Sequence, residues 1–197
     1  VMKRTGVALE EVTEEDLLIL NGEGQILYGA GRAHNEWPLH AAILRRVSDV
    51  HSVVHTHPTY ATALSCVPTG LLPLSHDAMY FSGDYLAVYE HPHLVNSNER
   101  GEALARLAIG RRAVLLKAHG VVTLGRTVPE ATFFALQLES AAKFQFTVNS
   151  LGVPSLLDQQ SLATLSNDIS AILERRVEET WRYMNRRLDL APRETQG

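Results

Sequence analysis

Apolar residues and turn residues alternate along the first part of the chain and predict a β-hairpin there. Residues 16–20 (Asp-Leu-Leu-Ile-Leu) and 25–28 (Gln-Ile-Leu-Tyr) have the composition of strands. Between them, residues 21–24 (Asn-Gly-Glu-Gly) are typical of a tight turn, because Asn and Gly tolerate the backbone angles that such turns require. Val1 and Met2 read as a strand already in progress, so we expect that residues upstream of Val1 are missing from this sequence.

The next segment changes from a helical pattern to a strand pattern. A helix is predicted to begin at Glu36, with Asn35 as its N-cap, because apolar side chains then recur at helical spacing: Leu39, Ala42, Ile43 and Val47. Residues 52–57 (Ser-Val-Val-His-Thr-His) predict a strand. Pro58 would end that strand and would fit the first turn of a helix that runs to about Cys66.

Strands and helices continue to alternate through the rest of the chain. Further short strands are predicted at 71–74, 85–89, 113–117 and 120–125, and 113–117 has the most buried composition. Helices are predicted at about 97–109, 129–150 and 161–190. This arrangement indicates an α/β (or α+β) protein built in layers, rather than an all-α or all-β protein.

The composition narrows the class of protein. The 197 residues are 45% hydrophobic and 20% charged, which suits a single globular domain spanning residues 1–197. The net charge of −4 predicts no nucleic-acid partner, and no apolar run in the sequence is long enough to predict a membrane span. The single cysteine, Cys66, cannot form an internal disulfide, and the sequence shows no signal-peptide pattern, so a cytoplasmic location is predicted.

Three of the nine histidines stand where they could bind a metal ion. His55 and His57 are two residues apart on a predicted strand, so their side chains leave the same face, although a solvated polar pair would give the same pattern. His119 follows the buried strand and precedes Gly120, which allows a tight turn, and its alternative interpretation is a histidine satisfied within the core. Three histidines with one open position form the ligand set of a catalytic metal site.

Glu36 is the acidic candidate for the same site. At the first turn of the predicted helix it could simply complement the helix dipole, or it could bind the metal at rest and act as a base when substrate displaces it. His40, one turn later, is expected to pack against or support the ligands rather than bind metal. His91-Pro92-His93 repeats the His-x-His spacing, but the proline interrupts strand geometry and predicts a loop.

Taken in order, these segments resemble the class II aldolase/adducin family. The resemblance covers about residues 5–150 and rests on 35–37 (Asn-Glu-Trp) with His40, 53–57 (Val-Val-His-Thr-His), 61–65 (Ala-Thr-Ala-Leu-Ser) and 117–121 (Lys-Ala-His-Gly-Val). It implies a three-layer α/β/α fold with a mostly antiparallel central sheet, and a homotetramer with active sites at subunit interfaces. It also implies that His55, His57 and His119 hold one divalent metal ion per chain, with Glu36 as the catalytic carboxylate. Zinc is the leading expectation, and Mn²⁺, Fe²⁺ or Co²⁺ would suit the same ligands.

The sequence departs from the sugar-phosphate aldolases of this family in residues expected to bind substrate. Those aldolases carry a Ser-Ser pair before the catalytic acid, where this chain has His34 and Asn35. Thr5 and Gly6 match a Thr-Gly phosphate loop of the family. Arg4 and His34 are candidates to bind a carboxylate in place of a phosphate.

Two further positions are similar to the decarboxylase branch of the family. Where fuculose-phosphate aldolases have a proton-donating Tyr, this chain has Asp77, directly after His76. Residues 181–183 (Trp-Arg-Tyr) are also similar, and Tyr183 is expected to contact substrate from a helix that covers or approaches a neighbouring subunit's site.

Together these features favour a metal-dependent lyase, a decarboxylase acting on a hydroxy-aromatic or related hydroxy or keto carboxylic acid. A sugar-phosphate aldolase or epimerase is the near alternative, because retro-aldol chemistry would use the same metal. An iron-dependent oxygenase is a further alternative. From a different class comes an adducin-like interaction module without catalysis, which the presence of all three histidines and the acid disfavours.

Overall fold

Seven strands, seven α-helices and three short 3-10 helices make up the regular structure of residues 1–190, the part of the chain that the computed structural model describes. The strands are β1 (Met2–Lys3), β2 (Leu17–Leu20), β3 (Ile26–Tyr28), β4 (Ser52–Thr56), β5 (Leu86–Tyr89), β6 (Ala113–Leu116) and β7 (Gly120–Gly125). The helices are α1 (Trp37–Arg46), α2 (Thr59–Leu64), α3 (His76–Met79), α4 (Asn98–Ala108), α5 (Val128–Leu151), α6 (Gln159–Ala171) and α7 (Leu173–Leu190). Across residues 1–190, no helix combines the length and the apolar character needed to span a membrane.

The strands form two sheets. β1, β2 and β3 make a small antiparallel sheet, and its β2–β3 pairing confirms the predicted hairpin. The central sheet has the order β4-β7-β6-β5. Its pairings are antiparallel except between β5 and β6, which run parallel. The prediction of a mostly antiparallel central sheet is therefore confirmed.

Helices cover both faces of the central sheet because its inner strands carry apolar residues on both faces. In β6, Val114 and Leu116 belong to a core shared with α1 and α4, whereas Ala113 and Leu115 belong to a second core shared with α2, α3, α5 and α6. All four side chains are fully buried. A strand covered on both faces is a continuous apolar run, which is why this segment has the most buried composition. The outcome is the three-layer α/β/α arrangement that the resemblance implied.

Close packing of α4 against the first turn of α1 fixes the position of Glu36 at the start of α1. The contact depends on Gly101, because a Cβ at that position would lie 2.6 Å from the Pro38 carbonyl oxygen. Pro38 is in the first turn of α1, and Glu36 is the N-cap of that helix. The start of α1 is therefore held by helix packing as well as by its own backbone.

Two local predictions in the first half of the chain are wrong. Asn35 does not cap α1, because Glu36 is the N-cap and its side chain makes no capping hydrogen bond. The Glu36 carboxylate instead accepts a hydrogen bond from the Val95 N–H. Residues 71–74 form no strand. The Leu72 N–H donates to Gln145 Oε1 (2.6 Å), so a side chain of α5 satisfies a backbone group that a strand partner would otherwise satisfy.

The predicted helix at 161–190 is also wrong, because the segment forms two helices. α6 starts earlier than predicted, since the Asp158 side chain caps it by accepting a hydrogen bond from the Ser161 N–H. The chain leaves helical geometry at Ile172, between α6 and α7. No glycine or proline marks this break in the sequence. It follows from packing, because α6 contacts α3 whereas α7 contacts α5.

Candidate functional site

Four side chains from three separate parts of the chain converge beside the ends of β4 and β7. Glu36 precedes α1, His55 lies on β4, His57 follows β4, and His119 lies in the turn between β6 and β7. One carboxylate oxygen and one ring nitrogen from each histidine all lie within 4.8 Å of one another. The structure therefore brings together the four residues that the sequence analysis selected, and their ligand atoms are close enough to share one metal ion.

The orientation of His55 leaves one ring nitrogen free to act as an electron-pair donor. Its Nδ1 lies 2.9 Å from the Val121 carbonyl oxygen, an acceptor, so the proton of the neutral ring is on Nδ1. Nε2 then carries a lone pair, and it faces Glu36 Oε2 at 3.3 Å and His57 Nε2 at 3.3 Å. A backbone acceptor on the far side of the ring is the usual way to orient an imidazole ligand.

Glu36 is buried and held at both carboxylate oxygens. Its side chain is 3% exposed. The Val95 N–H donates to Oε1 (2.8 Å), while Oε2 lies 3.3 Å from His55 Nε2 and 3.5 Å from His119 Nε2. Burial alone would raise the pKa of Glu36. Hydrogen bonds from a protonated His55 ring and from the Val95 N–H, with the positive charge that His55 and His119 carry when protonated, lower it to about 2. The carboxylate is therefore an anion at neutral pH.

His119 offers the clearest test of whether these residues suit a cation. Its side chain is 10% exposed, and within residues 1–190 neither of its ring nitrogens has a hydrogen-bond partner. Burial lowers the pKa of His119, so the ring is neutral at physiological pH and keeps a free lone pair. A buried polar group without a partner is costly. A cation between His119 and the Glu36 anion would satisfy both, so the residues present fit a metal ion.

Gly120 allows the two histidine-bearing segments to approach each other. A Cβ at residue 120 would lie 2.5 Å from His57 Cδ2 and 2.5 Å from the Thr56 carbonyl oxygen. The sequence analysis selected Gly120 as a residue that permits a tight turn. In the structure, the absence of a side chain at residue 120 leaves room for the His57 ring.

A cavity of about 390 Å³ opens onto the cluster. Its lining consists of His34, Asn35, Glu36, His57, Pro92, Leu94, Ala118 and His119. Two of the predicted substrate-binding residues, His34 and Asn35, are therefore placed beside the cluster. Pro92 and Leu94 were not anticipated: the 91–93 segment is a loop, as predicted, but its proline forms part of the cavity wall.

The other predicted substrate-binding residues lie outside this lining. Arg4 pairs with Asp16 (2.8 Å) and forms a β-bridge to Ala33. The Thr5 N–H donates to the Arg32 carbonyl oxygen (2.9 Å), and Gly6 follows in left-handed geometry. The loop formed by residues 4–6 therefore lies beside the segment that leads to His34, but it does not itself line the cavity beside the cluster.

Asp77 and Tyr183 are on the opposite face of the sheet from α1. Asp77 is on α3, where it accepts a hydrogen bond from the Ser140 hydroxyl (2.6 Å). Tyr183 is on α7 and is 50% exposed. Neither residue contributes to the cavity beside the cluster, so a contact of either one with substrate stays a prediction.

The backbone N–H of Val95 is a further group at this site that sequence reasoning did not find. It holds the Glu36 carboxylate in the direction of the histidines, and Val95 itself is fully buried. Every residue except proline has a backbone N–H, so the residue type does not reveal that this one binds Glu36. The only available signal was that Leu94 and Val95 form a short apolar pair between polar residues, which is weak.

Comparison with known proteins agrees with this geometry. Residues 1–146 match the family model described as Class II Aldolase and Adducin N-terminal domain. The chain belongs to this family. Class II aldolases use a divalent metal ion, and this class II aldolase-family chain has a Glu/His/His/His cluster that could bind one. The resemblance drawn from the sequence motifs is confirmed.

Relatives of this class II aldolase-family chain include enzymes of two kinds. Decarboxylase NovR of Streptomyces niveus is 31% identical over 145 residues, which are 73% of this chain and 54% of NovR. The chain thus spans about half the length of that relative. The 5-deoxy-D-ribulose 1-phosphate aldolase of Bacillus thuringiensis serovar kurstaki is 28% identical over 164 residues, 82% of this chain and 75% of the aldolase.

Among solved structures, the crystal structure of an aldolase II superfamily protein from Pseudomonas syringae is similar in fold. It superimposes with a TM-score of 0.87 and 24% identity, covering 96% of this chain and 78% of that one. This likeness extends to most of the seven strands and seven helices and supports the α/β/α fold.

Proposed function

We propose that Glu36, His55, His57 and His119 hold one divalent metal ion per chain. The proposal is supported by the convergence of their ligand atoms within 4.8 Å and by the two unpartnered nitrogens of His119. Imidazole nitrogens and one carboxylate suit zinc best, and they also suit Mn²⁺, Fe²⁺ or Co²⁺. The adjoining cavity would leave a coordination position for substrate, as catalytic metal sites do.

We propose that the protein is a lyase that removes carbon dioxide from a hydroxy-aromatic or related hydroxy or keto carboxylic acid. The observation that carries this proposal is the position of His34 on the cavity wall. Its Nδ1 accepts a hydrogen bond from the Glu36 N–H (3.3 Å), so in the neutral ring the proton is on Nε2. A single ring N–H suits one oxygen of a planar carboxylate. A phosphate dianion requires several compact donors around it.

Within this reaction the residues of the chain have separate roles. A bound divalent cation supplies Lewis-acid stabilisation of the negative charge that develops on substrate oxygen. His34 and the exposed Asn35 orient the substrate carboxylate at the cavity wall. The bond from the substrate carbon to its carboxylate breaks, carbon dioxide leaves, and the carbon that keeps the electron pair takes up a proton.

Glu36 is the group placed to move that proton. The Val95 N–H holds Oε1 and leaves Oε2 turned towards the histidines, so Oε2 is the oxygen that can take up a proton. Oε2 would first accept a proton from the substrate hydroxyl group, or from water where the substrate is a keto acid, and would then deliver that proton to the carbon that keeps the electron pair. The same residue can act as a ligand at rest and as a proton carrier during turnover, which matches the interpretation drawn from the sequence.

Aldol cleavage of a sugar phosphate is the second candidate. It is favoured by the relative that is a 5-deoxy-D-ribulose 1-phosphate aldolase, of which this chain covers 75%. The loop at residues 4–6 adds Thr5 and Gly6 close to the segment that leads into the cavity. The residues that would have to change for this reaction are His34 and Asn35, which replace the family's two serine hydroxyls.

We further propose a homotetramer in a reducing, cytoplasmic compartment. The helix α7 leaves Tyr183 and Leu188 at 50% and 71% exposure, which favours a surface covered by another subunit. A lone cysteine suits a compartment in which disulfides do not form. Light scattering at working concentration tests the assembly, and a monomer would contradict it.

A paired substrate panel tests the proposed reaction. Metal-loaded protein is incubated with ortho-hydroxy aromatic carboxylates while carbon dioxide is measured, and with fuculose-, rhamnulose- and ribulose-phosphates while aldehyde is measured. We expect carbon dioxide from at least one carboxylate. Turnover confined to the phosphates would replace the decarboxylase proposal with the aldolase one. Oxygen uptake by iron-loaded protein would indicate an oxygenase, and metal binding without turnover on any substrate would favour an adducin-like module.

A further inference from the structure

The hydroxyl of Ser65 links the end of α2 to the turn that carries His119. Ser65 is buried, with 5% exposure, and it is the C-cap of α2. Its Oγ donates to the Thr62 carbonyl oxygen (2.6 Å) and accepts a hydrogen bond from the Ala118 N–H (2.9 Å). Neither Ser65 nor Thr62 belongs to the cluster or lines the cavity beside it. The mechanism proposed above therefore does not use this contact.

The turn that receives this hydrogen bond has an unfavourable backbone conformation. Ala118 has a φ of +54°, and among residues 1–190 it is the only residue other than glycine with a positive φ. The left-handed conformation is unfavourable for alanine because its Cβ approaches a backbone carbonyl oxygen. The surrounding structure must therefore hold the turn in this conformation. The next residue along the chain is His119, so the conformation of Ala118 affects where the His119 ring lies.

The hydrogen bonds around the turn show how it is held. The His119 N–H donates to the Leu116 carbonyl oxygen (3.0 Å), and the Lys117 N–H donates to the Tyr89 carbonyl oxygen (3.0 Å). Both of these bonds join backbone to backbone in the sheet region. The Ala118 N–H is bound by a side chain, Ser65, so this is the one of the three that a substitution can remove.

We propose that Ser65 is a positioning residue for His119, and this inference rests on the proposed metal site. By holding Ala118 in its left-handed conformation, the Ser65 hydroxyl fixes the direction in which the His119 ring enters the cluster. Partners that orient metal ligands in this way commonly change metal affinity by 10-fold or more when removed. Without the hydroxyl, the turn can relax towards an ordinary conformation and His119 moves away from Glu36.

The test compares Ser65→Ala with a matched control, Ser82→Ala. The Ser82 hydroxyl also donates to the carbonyl oxygen three residues earlier, that of Met79 (3.0 Å), just beyond the end of a short helix. It makes no bond to the 117–119 turn. Zn²⁺ affinity is measured by competition with a chromophoric chelator, and the ligand field is measured from the visible spectrum of the Co²⁺-loaded protein.

We expect Ser65→Ala to weaken Zn²⁺ binding about tenfold and to shift the Co²⁺ spectrum, while Ser82→Ala leaves both unchanged. Adding Ala118→Gly to Ser65→Ala should restore affinity to within about threefold of wild type, because glycine adopts a positive φ without strain. Recovery of this kind requires that Ser65 act through the turn rather than through α2.

Each outcome has a distinct meaning. Wild-type Zn²⁺ affinity and an unchanged Co²⁺ spectrum in Ser65→Ala would overturn the inference and leave the metal site intact. So would an affinity loss that Ala118→Gly does not recover, or an equal loss in Ser82→Ala. Failure of the wild-type protein itself to bind Zn²⁺ or Co²⁺ would instead overturn the proposed function. If Ser65→Ala does not fold, Ala118→Gly alone should still bind Zn²⁺ with at least wild-type affinity, and a weaker affinity would contradict the proposal.

Discussion

A methyl group added at residue 120 should disturb the candidate site more than it disturbs the rest of the molecule. In Gly120→Ala the new Cβ would stand 2.5 Å from His57 Cδ2 and from the Thr56 carbonyl oxygen, about 0.9 Å short of the 3.4 Å at which ordinary contact begins. The His57 ring could turn away, but the Thr56 oxygen belongs to the backbone of a strand. Thr56 pairs with Val121 in the central sheet, so β4 and β7 would have to separate at this end.

The size of the effect follows from two opposing contributions. Replacing glycine by alanine stabilises a compatible site by about 0.4–1 kcal/mol, because the unfolded chain loses freedom. Forcing an extra carbon into a packed site costs about 1–3 kcal/mol. The clash outweighs the gain, so the free energy of unfolding should fall by about 1–2 kcal/mol. Because His57 must move, we expect Zn²⁺ affinity to fall by at least about tenfold.

Urea denaturation and Zn²⁺ titration of the variant measure both quantities. Gly22→Ala is the matched control: its Cβ would meet only the Arg45 guanidinium at 3.9 Å, and its φ is not in the left-handed region. That variant should match wild type within about 0.5 kcal/mol and bind Zn²⁺ normally. If Gly120→Ala equals Gly22→Ala in both stability and affinity, the close approach of His57 to residue 120 is not what shapes the site.

Three other substitutions test individual roles. Glu36→Gln should keep the far-UV circular dichroism of wild type but lose turnover by a factor of at least about 10², because it removes the charge and the proton acceptor; near-normal turnover would make Glu36 a ligand only. Burial and the neighbouring charge of His55 lower the pKa of His40 from 6.5 to about 4, so the unfolded chain binds the proton more readily between those values. The free energy of unfolding should therefore fall as pH drops from 6.5 towards 4, and His40→Gln should flatten this slope in urea titrations; parallel slopes would refute the assignment. Asp77→Asn should leave Zn²⁺ affinity within about twofold of wild type by calorimetry, because Asp77 bonds Ser140 rather than the cluster, and a larger loss would contradict this placement.

The positions of the histidines could be predicted because residue spacing on a strand determines side-chain direction. His55 lies on β4 and His57 directly follows it, two residues further on, so their side chains were expected on the same side, and His119 was expected just after a buried strand. The two-sided burial of β6 followed in the same way from its continuous apolar sequence. Predictions of this kind depend only on local geometry, which can be inferred from the spacing of residues in the sequence.

What the sequence could not provide were contacts made by groups without a distinctive residue type. The Val95 N–H that holds Glu36 belongs to the backbone, and the Ser65 hydroxyl reaches Ala118 across 53 positions. The break at Ile172 was missed for a related reason, since it arises from α6 and α7 packing on different helices. Asn35 was chosen as the N-cap by its residue type, yet tertiary contacts of Glu36 decided where α1 begins.

Metal content is the most direct test of the central claim that Glu36, His55, His57 and His119 form one metal site. Wild type and His57→Ala are purified without added metal, dialysed against Zn²⁺ and then against metal-free buffer, and measured by plasma mass spectrometry. We predict one equivalent per chain for wild type and close to none for His57→Ala, with unchanged circular dichroism. Free Zn²⁺ at a hundred times its dissociation constant should also raise the free energy of unfolding of wild type, but not of the variant, by about 2.7 kcal/mol. A His57→Ala protein that keeps a full equivalent of zinc would contradict the claim.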